Sequence, residues 1–135
     1  MARRDEMDNQ ARSEDARTFS LVAQIPEPQD DDTLYIEPRA DFPFDIIEIF
    51  TFVTSGDVEI TPLIEGVAVD TDGTDSSGTI LVDQPSGVTF TPDGSTSEVG
   101  SLQALTVAIT NPSSDVGQLI IKFKCRRTEE NVVVT

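Results

Sequence analysis

The sequence contains no histidine and no tryptophan, and only one cysteine and one tyrosine. Without histidine the chain can build neither a Ser–His–Asp nor a Cys–His nucleophilic site, and it has no imidazole ligand for a metal. Aromatic residues make up 6% of the chain, so few rings are available to hold a sugar between paired carboxylates, as glycoside hydrolysis requires. We therefore predict that the chain is not an enzyme and that it carries no cofactor.

Positive charge is also scarce. Nine Lys and Arg residues stand against 25 Asp and Glu residues, which gives a formal net charge of -16. Nucleic acid is excluded as a partner because phosphate binding needs clustered basic residues, and anionic membrane surfaces are disfavoured for the same reason. Basic protein surfaces and divalent cations remain as partners, and solubility through self-repulsion is the alternative reason for such a charge.

Long apolar runs and paired cysteines are absent too. No run reaches the roughly 20 apolar residues of a membrane-spanning helix. The chain begins with Met1, and because MARRDEMDNQ has no apolar segment we expect a complete small protein without a secretory signal. Cys125 cannot form an intramolecular disulfide, which suits assembly in the reducing cytoplasm of a host cell. It lies in the alternating run LIIKFKCRR, so we expect it to be a small buried residue.

The charges divide the chain into segments. Residues 1–17 hold four arginines and five acids, residues 40–121 hold 13 acids and no Lys or Arg, and KFKCRR (122–127) returns four positive charges. We predict a charged N-terminal arm over residues 1–17, either extended or a short helix. Short strands and a Pro/Asp-rich loop follow over 18–40, then a β domain over 41–127 and a C-terminal extension over 128–135.

The pattern of apolar residues predicts strands in the 18–40 segment and throughout the β domain. TFSLVAQ, TLYIE, IIEIFTFVT, GTILV and GVTFT are short runs rich in β-branched and aromatic residues, separated by turn signals about every ten residues. No stretch of the domain carries apolar residues at helical spacing over three turns. The predicted fold class is all-β, a single antiparallel β-sandwich with the N-terminal arm outside it.

Alternation in three segments predicts which side chains face the core. In QLIIKFKCRR (118–127) one face carries Leu119, Ile121, Phe123 and Cys125, and the other carries Ile120, Lys122, Lys124 and Arg126. SLQALTVAIT (101–110) alternates in the same way. DVEITPLIEG (57–66) does so at its start, with Asp57 and Glu59 outward and Val58 and Ile60 inward, and Pro62 indicates an edge strand or a bulge in its second half. TPDGSTSEVG (91–100) reads as a loop. VVVT at the end of the chain is either a last strand or an extension that reaches a partner.

The acidic stretch VDTDGTDSSG (69–78) is a candidate calcium loop. Asp70, Asp72 and Asp75 lie within six residues, and clustered oxygen ligands suit a hard cation. An EF-hand loop needs glycine at position 6 and a glutamate at position 12. Counted from Asp70, these positions are occupied by Asp75 and Leu81. We favour an acidic loop tip between strands, with weak calcium binding as the minor alternative.

Two groups of basic residues are candidate partner-binding sites. One group, Arg3, Arg4, Arg12 and Arg17, could anchor the arm to an acidic partner, with a solvated tail as the alternative. The other group is Lys122, Lys124, Arg126 and Arg127. It is either one solvated face of the last strand or a docking patch for an acidic surface, including that of a second copy.

The order of segments resembles the small β-sandwich modules of tailed-bacteriophage virion proteins, which occur in capsid decoration proteins and fibres. The resemblance covers about residues 44–128 and rests on FTFVTSG, DVEITPLIEGVAV, DTDGTDSSG, LQALTVAITNPSSD and LIIKFKCRRT. It is similar to the family patterns ζ-x-I-x-G-x-x-V, where ζ is a polar or small residue, and L-x-L-x-V-x-N-x-S-S-x-x-x-L-x-x-x-L-K. The family is usually less acidic and implies no catalytic residues.

The resemblance implies a structural protein of a bacteriophage virion, assembled in the host cytoplasm. Our leading hypothesis is a capsid decoration or cement protein that binds the assembled shell, with the major capsid protein or other virion proteins as partners. A homo-oligomer on the particle is expected, with a trimer favoured. The alternatives are a tail or head fibre or receptor-binding module, and a head–tail connector or tail-tube component.

Overall fold

A computed structural model describes residues 17–71, 78–83, 87–92 and 97–128 of the chain. The regular elements within these ranges are ten strands: Thr18–Ile25 (β1), Thr33–Glu37 (β2), Phe44–Val53 (β3), Val58–Ile64 (β4), Val67–Ala68 (β5), Ile80–Val82 (β6), Val88–Phe90 (β7), Glu98–Val99 (β8), Leu105–Thr110 (β9) and Leu119–Arg127 (β10). No helix in these ranges is long and apolar enough to cross a membrane.

The strands form two antiparallel sheets. Sheet A has the order β1-β10-β3-β7, with β8 also paired to β3, and sheet B has the order β2-β9-β4-β5, with β6 also paired to β4. The first and last long strands, β1 and β10, are neighbours over their full length, with Thr18 opposite Arg126 and Ile25 opposite Leu119. The predicted fold class, all-β with an antiparallel sandwich, is confirmed, while the arm over residues 1–16 lies outside the described residues.

The inner faces of the sheets form one apolar core. Alternation places Leu119, Ile121, Phe123 and Cys125 of β10 in this core, and each of them is fully buried. Residues of β9 and β4 face them from sheet B, including Val107, Ile109 and Ile60. The faces predicted for these three strands are therefore confirmed. The reason is that successive side chains of a strand point to opposite sides of the sheet.

Pro62 departs from its prediction. The strand that contains it, β4, lies inside sheet B between β9 and the short strands β5 and β6. No edge or bulge is needed, because β6 pairs with Val58–Ile60 and β5 with Leu63–Ile64, and Pro62 faces the gap between them. Its carbonyl accepts a hydrogen bond from the Val69 backbone N–H at 2.9 Å on that side, so the missing N–H of proline costs no bond to β9.

The segment 91–100 was predicted to be a loop, and this is wrong at its end. Glu98 and Val99 form β8, which pairs with Asp45 and Phe44 of β3. Val99 is fully buried, so a two-residue strand is held by its tertiary contacts and not by local propensity. The strands predicted in 78–82 and 87–91 are confirmed as β6 and β7, in different sheets, and the turn predicted at 84–86 lies outside the described residues.

One end of the sandwich is closed by two interlocked turns, 54–57 and 111–118. Ser55 donates its hydroxyl to the Asp115 carbonyl at 2.9 Å, and the Asp57 backbone N–H donates to the Ser113 hydroxyl at 2.9 Å. Gly56 has a positive φ of 69°, and a Cβ there would collide with the side chain of Ser113. The turns predicted at Ser55–Gly56 and at NPSSDVG are confirmed, and Gly56 is required by both its conformation and its packing.

Candidate functional site

The outer face of sheet A carries an open groove of about 450 Å³. Its lining comes from four strands that are far apart in the sequence: Thr18, Phe19, Ser20, Glu48, Phe50, Thr89, Lys122 and Lys124. Lys122 and Lys124 are exposed, while Phe50 and Glu48 are half-buried. The groove therefore offers two ammonium groups, one carboxylate, hydroxyl groups and an aromatic surface.

Strand register determines which of these side chains are neighbours. One row across the sheet runs from Val22 through Lys122 and Phe50 to Thr89, and the next row runs from Ser20 through Lys124 to Glu48. Residues opposite each other on antiparallel strands have Cβ atoms about 4.5–5.5 Å apart, so each row is a set of side-chain contacts. Lys124 therefore faces a carboxylate, whereas Lys122 lies between apolar residues.

A β-bulge in β3 adds a further row, in which Arg126 lies opposite Asp45. The register between β10 and β3 shifts at Lys124/Cys125, so that Lys124 pairs with Glu48 and Cys125 with Ile46, and Ile47 is the extra residue. If Ile47 were instead paired in a regular ladder, strict alternation would turn Asp45 toward the core and Phe44 toward solvent. The bulge keeps Phe44 buried and holds Asp45 opposite Arg126, on the same face as Glu48.

Positive charge is concentrated beside this groove. Six Lys and Arg residues lie in the described part of the chain, and five of them are on β10 or directly before β1: Arg17, Lys122, Lys124, Arg126 and Arg127. The sixth is Arg39. Since residues 40–121 contain no Lys or Arg, the β1–β10 margin of sheet A is the cationic side of an acidic molecule.

Arg127 differs from its neighbours on β10. Its guanidinium carbon lies 4.2 Å from the centre of the Phe42 ring, and the residue is half-buried. Phe42 packs edge-to-face on Phe19 at 5.5 Å and on Phe44 at 6.2 Å between ring centres. Edge-to-face pairs of this kind contribute about 0.5–1.5 kcal/mol each beyond their burial. The cluster joins the starts of β1 and β3 to the end of β10 and engages Arg127 in cation–π stacking.

Cys125 points into the core and away from the groove. It is fully buried, and its thiol lies 3.7 Å from the Phe123 carbonyl, to which it donates a weak hydrogen bond. Burial raises the pKa of the Cys125 thiol from 9.0 to about 12, because the core disfavours the thiolate. The thiol is therefore protonated and unreactive at neutral pH, as expected for a small core residue.

The remaining predicted site residues are only partly described. Asp70 is exposed, whereas Asp72 and Asp75 lie outside the described residues, as do Arg3, Arg4 and Arg12. Within the described ranges no group of three or more Asp, Glu, Cys or His side chains is placed to hold a metal ion. Weak calcium binding by the acidic stretch and partner binding by the arm stay predictions.

Alternation within β10 was enough to identify Lys122 and Lys124. It could not identify Phe50, Glu48 and Thr89 as their neighbours, because those contacts depend on the register of β3 and β7. The local signal for Glu48 was its carboxylate in a strand that is mostly apolar.

No protein-family model matches the chain, and no curated protein matches its sequence. Among solved structures, it is similar to the sugar 3,4-ketoisomerase QdtA from Thermoanaerobacterium thermosaccharolyticum, with 14% identity and a TM-score of 0.37, covering 82% of this chain and 61% of that one. It is also similar to a chain in the acidic stable capsid of Helicobacter pylori bacteriophage KHP30, with 8% identity and a TM-score of 0.42, covering 81% and 90%. The cupin domain of Cnp3 from Schizosaccharomyces pombe has 7% identity and a TM-score of 0.35, covering 83% and 57%.

These similarities correct one prediction. Several of the similar structures are 3,4-ketoisomerases, of which this chain spans 61–63% of the length, so the prediction that the chain is not an enzyme is contradicted. The absence of histidine excludes the nucleophilic sites that depend on it, but it does not exclude catalysis by other groups on a β-sandwich. The prediction is withdrawn, and no reaction is assigned to the chain.

Proposed function

We propose that this protein is a structural component of a bacteriophage virion, a decoration or cement protein that binds the assembled capsid shell through the cationic margin of sheet A. The observation that carries the proposal is the pairing of Thr18 with Arg126. It means that the chain enters β1 and leaves β10 at one corner of the sandwich. The N-terminal arm and the C-terminal extension are therefore both attached at the corner where the positive charges are concentrated.

In this role the positive charges of β10 and the two terminal segments both contribute to binding the shell. Lys122, Lys124 and Arg126 project from one strand and meet acidic groups on the shell, while the arms extend across the joints between neighbouring subunits. Each exposed ion pair contributes only about 0.2–1 kcal/mol, so a single contact is weak. Many copies on a symmetric shell turn weak contacts into stable attachment, because each arm binds at a high effective concentration.

Binding to shells tests the proposal. Purified protein is incubated with assembled shells of the bacteriophage that encodes it, and separately with free capsid subunits, and bound protein is measured by co-sedimentation and electron microscopy. We expect binding to shells, in hundreds of copies per particle, and no binding to free subunits. Equal binding to both, or to neither, contradicts the proposal. Six or twelve copies per virion would indicate a connector or tail component, and labelling of host cells would indicate a fibre module.

A pair of matched variants tests the surface itself. Lys122→Gln with Lys124→Gln removes two positive charges from the outer face of sheet A. Thr106→Glu with Thr110→Glu changes the net charge by the same amount on the outer face of sheet B. We expect the first pair to weaken shell binding about tenfold, from the loss of two charge contacts per copy, and the second pair to have little effect. Equal loss in both pairs would show that net charge matters and that the cationic margin does not.

A further inference from the structure

The strand β1 forms an unusually open edge of sheet A. Within the described residues it pairs with β10 only, over eight residues and without any register shift. Its sequence, TFSLVAQI, contains no charged residue and no proline. A strand of this kind presents a row of unpaired backbone N–H and C=O groups, which is a template for pairing with another strand.

By comparison, the other described edges of the sandwich are protected against pairing with another strand. On the far side of the sheets, β5 and β8 have two residues each, and β6 and β7 have three. The edge strand β2 has five residues, follows Asp30, Asp31 and Asp32, and shifts register between Tyr35 and Glu37. Short length, charge and irregular register each prevent edge-to-edge association. Among the described edges, β1 is the one without any of these protections.

We propose that β1 pairs with β1 of a second copy of this chain, antiparallel and across a twofold axis, so that the two A sheets become one continuous sheet. The ends of the strand have opposite charges, which is the reason for this choice of partner. Arg17 directly precedes β1, and Glu27 lies two residues beyond its end, ahead of the three aspartates. An antiparallel pair brings the positive end of each copy to the negative end of the other.

Symmetry, the pleat and the charges at the strand ends together select the register. Opposite residues in an antiparallel pair lie on the same face of the sheet, so one residue of β1 lies opposite its own copy, with the twofold axis between them. With Val22 on the axis, Ser20 of one copy lies opposite Gln24 of the other, and Arg17 lies beside Glu27. With Leu21 on the axis, Arg17 lies beside Ile25 instead. The register through Val22 satisfies the charges, and it buries Val22, which is 56% exposed in the single chain, against its own copy.

The resulting interface is isologous and closes as a dimer, which distinguishes it from the trimer favoured on sequence grounds. It leaves Lys122 and Lys124 on the outer face of the joined sheet, so the cationic margins of two copies lie side by side. Pairing in solution does not depend on the proposed role at the shell. A protein that dimerises through β1 but ignores capsids would contradict the proposed function alone.

Disulfide trapping tests the register. In the Val22→Cys variant the two introduced residues are opposite each other, with Cα atoms about 4.5–5.5 Å apart, within the range that a disulfide spans. The matched control is Leu81→Cys, a site that is 54% exposed on sheet B. Buried Cys125 is retained in both variants. Under mild oxidation we expect the first variant to form covalent dimers at least about tenfold faster than the control, because pairing raises the effective concentration of the thiols. Equal rates would overturn the proposal.

Charge reversal tests the ends of the interface in the unmodified strand. Self-association is measured by sedimentation at about 0.15 M ionic strength. Arg17→Glu or Glu27→Arg alone places like charges together at both symmetry-related contacts, and we expect the dissociation constant to rise about tenfold. The double variant restores opposite charges and should return it to near the starting value.

Three results would overturn the proposal. One is the absence of concentration-dependent self-association in the full chain. Another is a double variant that associates no better than the single variants. A third is association that is abolished by removing residues 129–135 and is unaffected by the charge reversals, because the C-terminal segment would then be the strand that occupies the edge.

Discussion

The outer faces of the two sheets differ in charge although both arise from the same alternation. On sheet A, β10 and β3 bring three basic residues opposite or beside two carboxylates and Phe50. On sheet B the corresponding positions of β9, β4, β6 and the start of β2 carry threonine, alanine, leucine, Tyr35 and the carboxylate Glu59, and Glu37 ends β2. Tyr35 is 68% exposed and Leu81 54% exposed on this nearly uncharged face.

The comparison shows that the inward and the outward residues of a strand can differ independently of each other. Inward residues are apolar in both sheets because burial contributes about 25 cal/mol per Å² of apolar surface wherever it occurs. Outward residues contribute little to stability, so their charge differs without any cost to the fold. The face that is chemically distinctive is therefore the better candidate for function, and this is sheet A.

Truncating the residue that the bulge keeps in the core should have the largest effect on this difference. The bulge lets Phe44 face inward and Asp45 outward at the start of β3, and Phe44→Ala removes this burial while sheet B is unchanged. We expect the free energy of unfolding to fall by about 3–5 kcal/mol, the usual cost of truncating a buried phenylalanine. The control Ile47→Val alters the extra residue of the bulge and should cost no more than about 1.5 kcal/mol. Urea denaturation measures both, and equal losses would show that Phe44 adds no more to the core than Ile47 does.

One glycine beside each sheet has the same backbone angle, so replacing each of them by alanine compares the two sheets at a single position. Gly87 precedes β7 beside the groove, and Gly66 joins β4 to β5 in sheet B; both have a φ of 81°. A Cβ at Gly87 would collide with the Phe50 ring, whereas a Cβ at Gly66 would contact nothing within 4 Å. We expect Gly66→Ala to cost about 1 kcal/mol and Gly87→Ala about 2–3 kcal/mol in thermal or urea unfolding. A cost that is no larger at Gly87 would mean that the Phe50 ring moves aside freely.

The smallest effect concerns Cys125, on the inward face of β10. Because the folded pKa of Cys125, about 12, exceeds its unfolded value of 9.0, the folded state keeps its proton where the unfolded state loses it. The contribution to stability is complete below pH 9.0 and declines as the pH rises toward 12. At pH 10 we expect the wild type to have lost about 1 kcal/mol more than Cys125→Ala, relative to pH 8. Urea unfolding at both pH values gives the comparison, and parallel pH profiles would contradict the buried thiol.

Sequence patterns correctly predicted the inward residues of strands in which inward and outward residues alternate regularly. The faces of β4, β9 and β10 follow from side chains of period two, and they were predicted residue by residue for β9 and β10 and at the start of β4. The extra residue in β3 left no local mark, because IIEIFTFV is apolar on both sides and supports either register. Likewise β8 has two residues and no pattern of its own, so only its pairing with β3 reveals it.

The sequence by itself determined the all-β class, the inward set of residues in three strands and the cationic outer face of the last one. These are local consequences of chain geometry and of the burial of apolar surface. Only the tertiary structure decided which strands are neighbours. It thereby placed Glu48, Phe50 and Thr89 beside the lysines, brought the first and last strands to one corner, and left β1 as the open edge. Register and order depend on contacts between residues far apart in the chain, and no local pattern encodes them.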